Sequence, residues 1–447
     1  MQKNITIVGA GLVGSLLSIY LAKRGHQVNL YERRPDMRKE TMSAGRSINL
    51  ALSDRGLRGL EGVGIADEIR KVMIPMFGRV IHNLNGEISF QPYGKDGQAI
   101  NSVSRSGLNC ALMDVAEKNE NVKIFFNERC TGVDLEKGII KNENQLTHQH
   151  SDVKSDLIFS ADGAFSAARL QVQLSTDRFE YSQHYIEHGY KELTIPAGTN
   201  GTWQMEKNAL HIWPRGGYML IALPNLDGSF TCTLFFPFEG KDSFASIQNE
   251  TGLKEFFNRI FPDAVPLMPT LVHDYFANPT GSLVTVKCFP WSYKDKVLLL
   301  GDAAHAIVPF FGQGMNCGFE DCSVLNQLMN QHGNDWKTVF KSFEQQRKPN
   351  ADAIAELALQ NFIEMRDLVG DKKFLLRKKI EAAFNQKHPD KWIPLYTQVT
   401  FSPDIPYSVA FANGKRQDEI MKHIMNLPDI EEKWNSDEVE KKILSMI

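Results

Sequence analysis

Residues 5–32 read ITIVGAGLVGSLLSIYLAKRGHQVNLYE, and this stretch decides the fold. The apolar run Ile5–Val8 predicts a buried strand, Ser15–Lys23 has helical spacing, and Val28–Tyr31 predicts a second strand. A strand, a helix and a strand in this order predict two parallel strands joined by a right-handed crossover. The sequence therefore predicts an α/β fold that begins with a parallel sheet.

Three glycines, Gly9, Gly11 and Gly14, separate the first strand from the helix. This spacing is typical of dinucleotide binding, because the first glycine permits a tight turn, the second lets a pyrophosphate approach, and the third lets helix and strand pack closely. The helix N-terminus adds free amides. Glu32 ends the second strand and would bond ribose hydroxyls, which favours FAD or NAD over NADP. A glycine-rich turn without a ligand is the alternative.

A second stretch, LLLGDAAHAIVPFFGQGMNCGFEDC at residues 298–322, favours FAD. Asp302 follows a predicted buried strand and could bond a ribityl hydroxyl, a contact that an NAD enzyme does not need. The Gly312–Gly314 turn could present bare amides to the isoalloxazine ring, with the positive end of the next helix behind it. Gly301-Asp302 alone could equally be a plain strand-to-turn junction.

Composition excludes several classes of protein. Hydrophobic residues make up 42% and charged residues 23% of the 447 residues, and the formal net charge is −3, so nothing indicates a nucleic-acid partner. The six cysteines form no Cys-x-x-Cys pair and are expected to be reduced thiols. We expect no metal, no membrane span and a cytoplasmic protein; the oligomeric state is left open.

Three motifs occur in an order that resembles the flavin-dependent aromatic hydroxylases: Gly9–Gly14, Asp162-Gly163 and Gly301-Asp302. In that family the central Asp-Gly pair lies beside FAD and beside the place where NADPH approaches. The family has no separate Rossmann domain for NADPH. The sequence shows no second dinucleotide-binding motif of this kind, since Gly62-Val63-Gly64 lacks a preceding predicted strand and a third glycine. The resemblance implies tightly bound, non-covalent FAD, with NADPH and O₂ as transient partners.

Longer strings narrow the resemblance to the kynurenine-hydroxylating branch of that family. They are Gly45–Ser53, Gln91–Gly94, His211–Arg215, Val308–Asn316 and Tyr396–Phe401. The branch implies hydroxylation of L-kynurenine to 3-hydroxy-L-kynurenine through a flavin C4a-hydroperoxide, in tryptophan catabolism and NAD biosynthesis. The ring amino group would activate the neighbouring carbon, so no catalytic side chain is expected. The last forty residues match weakly and lack the hydrophobic anchor of the membrane-bound members, which suggests a soluble bacterial form.

The resemblance also implies a domain organisation like that of p-hydroxybenzoate hydroxylase. A Rossmann-like FAD-binding domain is expected at residues 1–75, 95–178 and 285–330. Residues 76–94 and 179–284, rich in β-like runs, are expected to form an antiparallel substrate-binding sheet. Helix patterns predict a C-terminal helical region at residues 331–447.

By resemblance, Arg79 would bind the substrate carboxylate, with Tyr93, Asn361 and Tyr396 completing a polar clamp and Phe310 shaping the pocket beside the flavin. Taken alone, Arg79 could be a surface arginine and the tyrosines could be packing residues. His305 is expected to be structural. The residues assigned to FAD by spacing and resemblance are Gly9, Gly11, Val13, Gly14, Tyr31, Glu32, Arg33, Arg34, Ala51, Arg105, Asp162, Asp302, Gly314, Met315 and Asn316.

Two other functions are compatible with the sequence. The chain could be a monooxygenase of the same family that acts on a phenol or another aryl amine. It could also be a non-catalytic binding protein on an FAD-type scaffold, like the Rab GDP-dissociation inhibitors. Turnover on a panel of aromatic compounds distinguishes the first alternative from kynurenine hydroxylation. The colour of the purified protein distinguishes a flavoprotein from the second alternative.

Overall fold

The polypeptide is described by a computed structural model for residues 2–39, 49–95, 97–369 and 371–447. In chain order the strands are β1 (Asn4–Val8), β2 (Gln27–Tyr31), β3 (Asn49–Leu52), β4 (Ile74–Met76), β5 (Gly78–His82), β6 (Ile88–Pro92), β7 (Ile100–Ser104), β8 (Val122–Phe125), β9 (Glu128–Asp134), β10 (Ile139–Asn144), β11 (His150–Lys154), β12 (Leu157–Ser160), β13 (Glu180–Ile195), β14 (Ala209–Pro214), β15 (Met219–Pro224), β16 (Phe230–Pro237), β17 (Gly281–Phe289), β18 (Ser292–Tyr293) and β19 (Val297–Leu299). The helices are α1 (Leu12–Lys23), α2 (Asp54–Glu61), α3 (Ala66–Arg70), α4 (Arg105–Glu117), α5 (Ala167–Leu174), α6 (Glu250–Ile260), α7 (Leu271–Ala277), α8 (Asp302–His305), α9 (Gly314–His332), α10 (Trp336–Ile363), α11 (Lys372–Lys387), α12 (Leu395–Thr400), α13 (Tyr407–Met425), α14 (Ile430–Lys433) and α15 (Asp437–Leu444).

The opening stretch forms the predicted βαβ unit at the centre of a six-stranded sheet. The strand order is β18-β19-β12-β1-β2-β8, and every neighbouring pair is parallel except β18 and β19. Helix α1 is buried from Gly14 to Ala22, because it packs against the sheet and also contacts α4 and α9. The parallel strands end at one edge of the sheet, where parallel α/β sheets bind their ligands.

The second large sheet has seven strands in the order β17-β13-β16-β15-β14-β5-β6. Its pairs are antiparallel as predicted, except for β5 and β14, which run parallel. The exception is possible because β5 and β14 are far apart in the sequence and are not joined by a tight hairpin turn, which would force them to run antiparallel. Smaller antiparallel sheets have the orders β3-β7-β4 and β11-β10-β9.

Helices α6 and α7 lie within residues 179–284, where the sequence analysis predicted an antiparallel sheet and no helices. Helix α6 begins after Asn249, whose side chain accepts a hydrogen bond from the amide of Gly252. Its buried residues, Leu253, Phe256, Phe257 and Ile260, follow the i, i+3, i+4, i+7 spacing of an amphipathic helix. The helix packs this apolar face into the core of the second sheet, and the spacing was available from the sequence.

The chain beyond residue 331 is helical, as predicted. Helix α10 packs against α9 and α13, and its C-terminal end continues as a π-helical turn over Glu364–Leu368. Helices α11, α13, α14 and α15 share a small apolar core of their own around Phe384, Trp392 and Met421. Within the described parts of the chain, none of these or the other helices is long and apolar enough to cross a bilayer.

Candidate active site

A cavity of about 680 Å³ is lined by residues of both large sheets. The glycine turn at Gly9, the carboxylates of Glu32 and Asp302, and the turn at Gly312 all line it. Two segments that are far apart in the sequence, Gly9–Glu32 and Asp302–Gly312, therefore converge on one space. The volume lies in the range of sites that enclose small molecules and cofactors.

The three glycines of the first turn have different surroundings. A Cβ atom on Gly11 would meet no atom within 4 Å, whereas one on Gly14 would lie 2.0 Å from the carbonyl oxygen of Gly9. Gly9 has a φ of +94°, which favours glycine. Gly11 thus opens backbone to the cavity, while Gly14 allows α1 to pack and does not line the cavity.

Glu32 is held at the end of β2 by backbone and side-chain donors. Its Oε2 accepts a hydrogen bond from the amide of Ala10 (3.0 Å), and its Oε1 accepts one from Nε of Arg34 (2.7 Å). Arg33 and Arg34 line the same part of the cavity, as do Val13, Tyr31 and Arg105. An oriented carboxylate at a strand end suits ribose hydroxyls, and the arginines offer positive charge beside it.

Asp162 and Asp302 lie at the carboxyl ends of β12 and β19, and both line the cavity. Asp162 accepts hydrogen bonds from Ser160 Oγ and from the amide of Ala167, the second at 2.8 Å. Asp302 is exposed. The central and late motifs of the sequence thus meet at one edge of the parallel sheet.

The second glycine turn leads into α9 beside Ala51. Gly314 and Met315 line the cavity at the N-terminus of α9, which no side chain caps. Asn316 does not line the cavity; its Nδ2 donates to the carbonyl oxygens of Ala51 (2.8 Å) and Gly312 (2.7 Å). Its amide therefore fixes the turn against β3. Of the sequence string at residues 45–53, residues 45–48 lie outside the described residues.

The predicted clamp residues Arg79, Tyr93 and Tyr396 meet at the other end of the cavity. The rings of Phe311, Tyr396 and Tyr93 stack, with centroids 5.4 Å and 5.0 Å apart. The guanidinium carbon of Arg79 lies 5.1 Å from the ring centroid of Tyr396 and 5.4 Å from that of Tyr93. Nε of Arg79 is buried and has no hydrogen-bond partner among the described residues. A buried cation with a free donor suits an anionic ligand.

Asn361 connects α10 to the turn that carries Phe310. Its Nδ2 donates to the carbonyl oxygen of Phe310 at 2.7 Å, and the Phe310 ring stacks on Phe362 with centroids 4.0 Å apart. Asn361 and Phe310 both line the cavity, as does Met365. The two predicted residues therefore lie together, and Asn361 positions the turn as well as facing the cavity.

Glu364 was not predicted, although it is the ion-pair partner of Arg79. Its Oε1 lies 3.4 Å from Nη1 of Arg79, and its Oε2 lies 3.8 Å from Nζ of Lys378. Burial alone would raise the pKa of Glu364, but the positive charges of Lys378 and Arg79 lower it below the ordinary value. Because 285 residues separate Glu364 from Arg79, no local pattern indicates this contact.

Arg55 is a second residue that the sequence did not reveal. Its side chain is fully buried and forms an ion pair with Glu320 at 2.8 Å, while its Nε donates to the carbonyl oxygen of Val399 at 2.8 Å. It also lies over the ring of Tyr407, whose hydroxyl donates to Gln313 Oε1 at 2.8 Å. These contacts fix α12, which carries the clamp tyrosine, relative to the second glycine turn.

His305 lies behind the cavity and does not line it. Its Nε2 is 2.7 Å from Oδ2 of Asp321, and Nε of Arg347 donates to Oδ1 at 2.7 Å. Burial opposes the charge of Asp321, but His305 and Arg347 lower its pKa to about 2. His305, Cys317 and Asp321 lie close enough together to surround an ion. Arg347 already donates to Cys317 Sγ and Asp321, so the cluster is best described as a buried ion-pair network.

Comparison with known proteins agrees with this geometry. The chain matches the family described as "FAD binding domain" over residues 2–358. It is 52% identical over 444 residues to a kynurenine 3-monooxygenase of Flavobacterium johnsoniae, covering 99% of this chain and 98% of that protein. It is 53% identical to one of Myxococcus xanthus (95% and 91% covered) and 46% identical to one of Dictyostelium discoideum (95% and 94% covered).

Solved structures show the same fold at lower identity. The tetrameric form of 2-methyl-3-hydroxypyridine-5-carboxylic acid oxygenase has a TM-score of 0.65 and 22% identity, over 82% of this chain and 94% of that one. PqsL of Pseudomonas aeruginosa, solved in complex with 2-aminobenzoylacetate, has a TM-score of 0.63 and 17% identity, over 82% and 97%.

The fold and the shared cavity define an FAD-dependent monooxygenase, with NADPH and O₂ as cosubstrates. The residues present fit FAD, since Gly11 leaves open space at an uncapped helix N-terminus and Glu32 stands where a ribose would lie. More particularly, the chain belongs to the kynurenine 3-monooxygenase family. The resemblance inferred from the sequence is confirmed.

Proposed function

We propose that the chain hydroxylates L-kynurenine to 3-hydroxy-L-kynurenine with NADPH and O₂. The observation that carries this proposal is Arg79, a buried cation at the aromatic end of the cavity whose Nε has no hydrogen-bond partner in the described part of the chain. Burial disfavours its charge, but Tyr93, Tyr396 and Glu364 together raise its pKa. A permanent cation beside stacked aromatic rings suits a ligand that carries both a carboxylate and an aromatic ring.

The residues of the first glycine turn would hold FAD at the opposite end. The amides at Gly11 would face its pyrophosphate, Glu32 its ribose and Asp302 its ribityl chain. The N-terminus of α9, at Gly314 and Met315, would face the ring. When bound, FAD supplies the redox chemistry that uses NADPH and activates O₂.

The side chains of the chain itself orient the substrate and exclude water. Arg79, with Tyr93 and Tyr396 beside it, would fix the amino-acid end, while Phe310 and Asn361 would set the position of the aromatic ring. The proposed reaction requires no strong general base, because the ring amino group of the substrate activates the neighbouring carbon. We also propose the predicted division into an FAD-binding domain, a substrate-binding sheet domain and a C-terminal helical region.

Product-coupled turnover tests the proposed function. NADPH oxidation and hydroxylated product would be measured together with kynurenine, salicylate and p-hydroxybenzoate as substrates. We expect coupled product formation with kynurenine alone. Equal or greater coupling with either phenol would overturn the substrate assignment, and a purified protein that is colourless and takes up no FAD would overturn the reaction class.

A further inference from the structure

A chain of alternating charges runs from the clamp into the C-terminal helices. Arg79 pairs with Glu364, Lys378 lies between Glu364 (3.8 Å) and Glu381 (3.6 Å), and Glu381 pairs with Arg377 at 2.8 Å. Lys378 belongs to α11 and lines no part of the cavity. The proposed function assigns Lys378 no role, although only Glu364 lies between its charge and that of Arg79.

The two oxygens of Glu364 are divided between two cations. Oε1 faces Arg79 at 3.4 Å, and Oε2 faces Lys378 at 3.8 Å. If Glu364 paired with Arg79 alone, its carboxylate would neutralise the guanidinium. It would then compete with the substrate carboxylate for Arg79. Lys378 supplies a second positive charge, so that the Glu364 carboxylate is shared between two cations and is not committed to Arg79 alone.

We propose that Lys378 is a positioning residue that holds Glu364 back from Arg79 and so keeps Arg79 available for the substrate carboxylate. The inference rests on the proposed function, because it takes Arg79 as the carboxylate site. Among the charges near Glu364, Lys378 lowers the pKa of that carboxyl more than Arg79 does. The contact links α11 to substrate affinity without any direct contact between Lys378 and substrate.

The test compares ligand affinities in the FAD-loaded protein. Kynurenine and its decarboxylated analogue kynuramine would be titrated against the flavin absorbance of the wild type and of Lys378→Met. We expect the kynurenine Kd to rise roughly fivefold, as for the loss of one partly exposed ion pair, and the kynuramine Kd to stay unchanged. Lys378→Arg should restore kynurenine affinity, and Lys373→Met, an exposed lysine on the same helix, serves as the matched control.

A double-mutant cycle separates this role from a structural one. If Lys378 acts by restraining Glu364, Lys378→Met should weaken kynurenine binding in the wild type but not in a Glu364→Gln background. An equal loss in both backgrounds, or an equal loss for kynuramine, would overturn the proposal. Loss of FAD in both Lys378→Met and Lys378→Gln would assign Lys378 to folding and would also overturn it. Failure of kynurenine to bind the wild type would instead overturn the proposed function.

Discussion

Replacement of Arg79 by methionine should abolish tight kynurenine binding while leaving FAD in place. Arg79 lies on β5, and its side chain is only 9% exposed, so a bound carboxylate would be paired with it away from water. Methionine keeps much of the side-chain length and packing volume but removes the charge. Glu364 keeps Lys378 as a partner in the variant, so the substitution does not strand a buried carboxylate.

The expected magnitude follows from the burial of the pair. Losing a buried, charge-assisted contact costs about 2–4 kcal/mol. At about 1.4 kcal/mol for each factor of ten, the kynurenine Kd should rise roughly 30- to 700-fold. Arg79→Lys should fall between the wild type and Arg79→Met, because lysine keeps the charge but loses the planar fork that can bind both carboxylate oxygens.

The assay is a titration of flavin absorbance with L-kynurenine and with kynuramine. Arg259→Met, at an exposed arginine paired with Asp242, is the matched control and should leave both affinities within about twofold. The reasoning would be refuted by a kynurenine Kd within threefold of the wild-type value in FAD-loaded Arg79→Met. It would equally be refuted if kynuramine lost as much affinity as kynurenine.

Four further variants test the frame around the cavity. Gly14→Ala would place a Cβ 2.0 Å from a carbonyl oxygen, so FAD content and melting temperature should both fall. Gly11→Ala meets no atom within 4 Å and should preserve the melting temperature of the FAD-free protein. Equal melting temperatures for the two variants would contradict this. Arg55→Met should lower the free energy of unfolding by about 1–3 kcal/mol, because the carbonyl oxygens of Val399 and Gln398 lose their buried donor while Glu320 keeps Arg347 as a partner; an unchanged urea midpoint would be inconsistent with that role. Asp321, with a pKa lowered from 3.8 to about 2, contributes stability above pH 4 that is lost as the pH falls towards 2. Asp321→Asn should therefore show a shallower loss of stability between pH 5 and pH 3, and parallel curves would count against it.

The FAD half of the molecule was predictable because its signals are local. The turn from Gly9 to Gly14, its helix and Glu32 lie within one βαβ unit, and their spacing alone predicts their geometry. Asp302 and the turn at Gly312 follow a strand in the same way. The sequence was less informative about which motif residues line the cavity. Asn316 and Gly14 belong to the motifs but do not line the cavity.

Two details of the fold were not predicted, although the fold class itself was. Helix α6 was missed because its β-like residues, Phe256, Phe257 and Ile260, outweighed their helical spacing in a region rich in strands. The parallel pairing of β5 with β14 depends on where a distant segment joins the sheet. Arg55 looks like an ordinary helix arginine, since its acceptors lie between 265 and 350 residues away.

The two ends of the cavity therefore differ in what the sequence can reveal about them. In the proposed function backbone amides and helix N-termini would face FAD, and these need glycines at fixed spacing, which a single sequence displays. The substrate end is built from long side chains on separate elements, and their meeting depends on the completed fold. Arg79 could be proposed only from resemblance, and its partner Glu364 not at all. For the same reason, we expect substitution of Lys378, on a helix that does not line the cavity, to change substrate affinity more than FAD affinity.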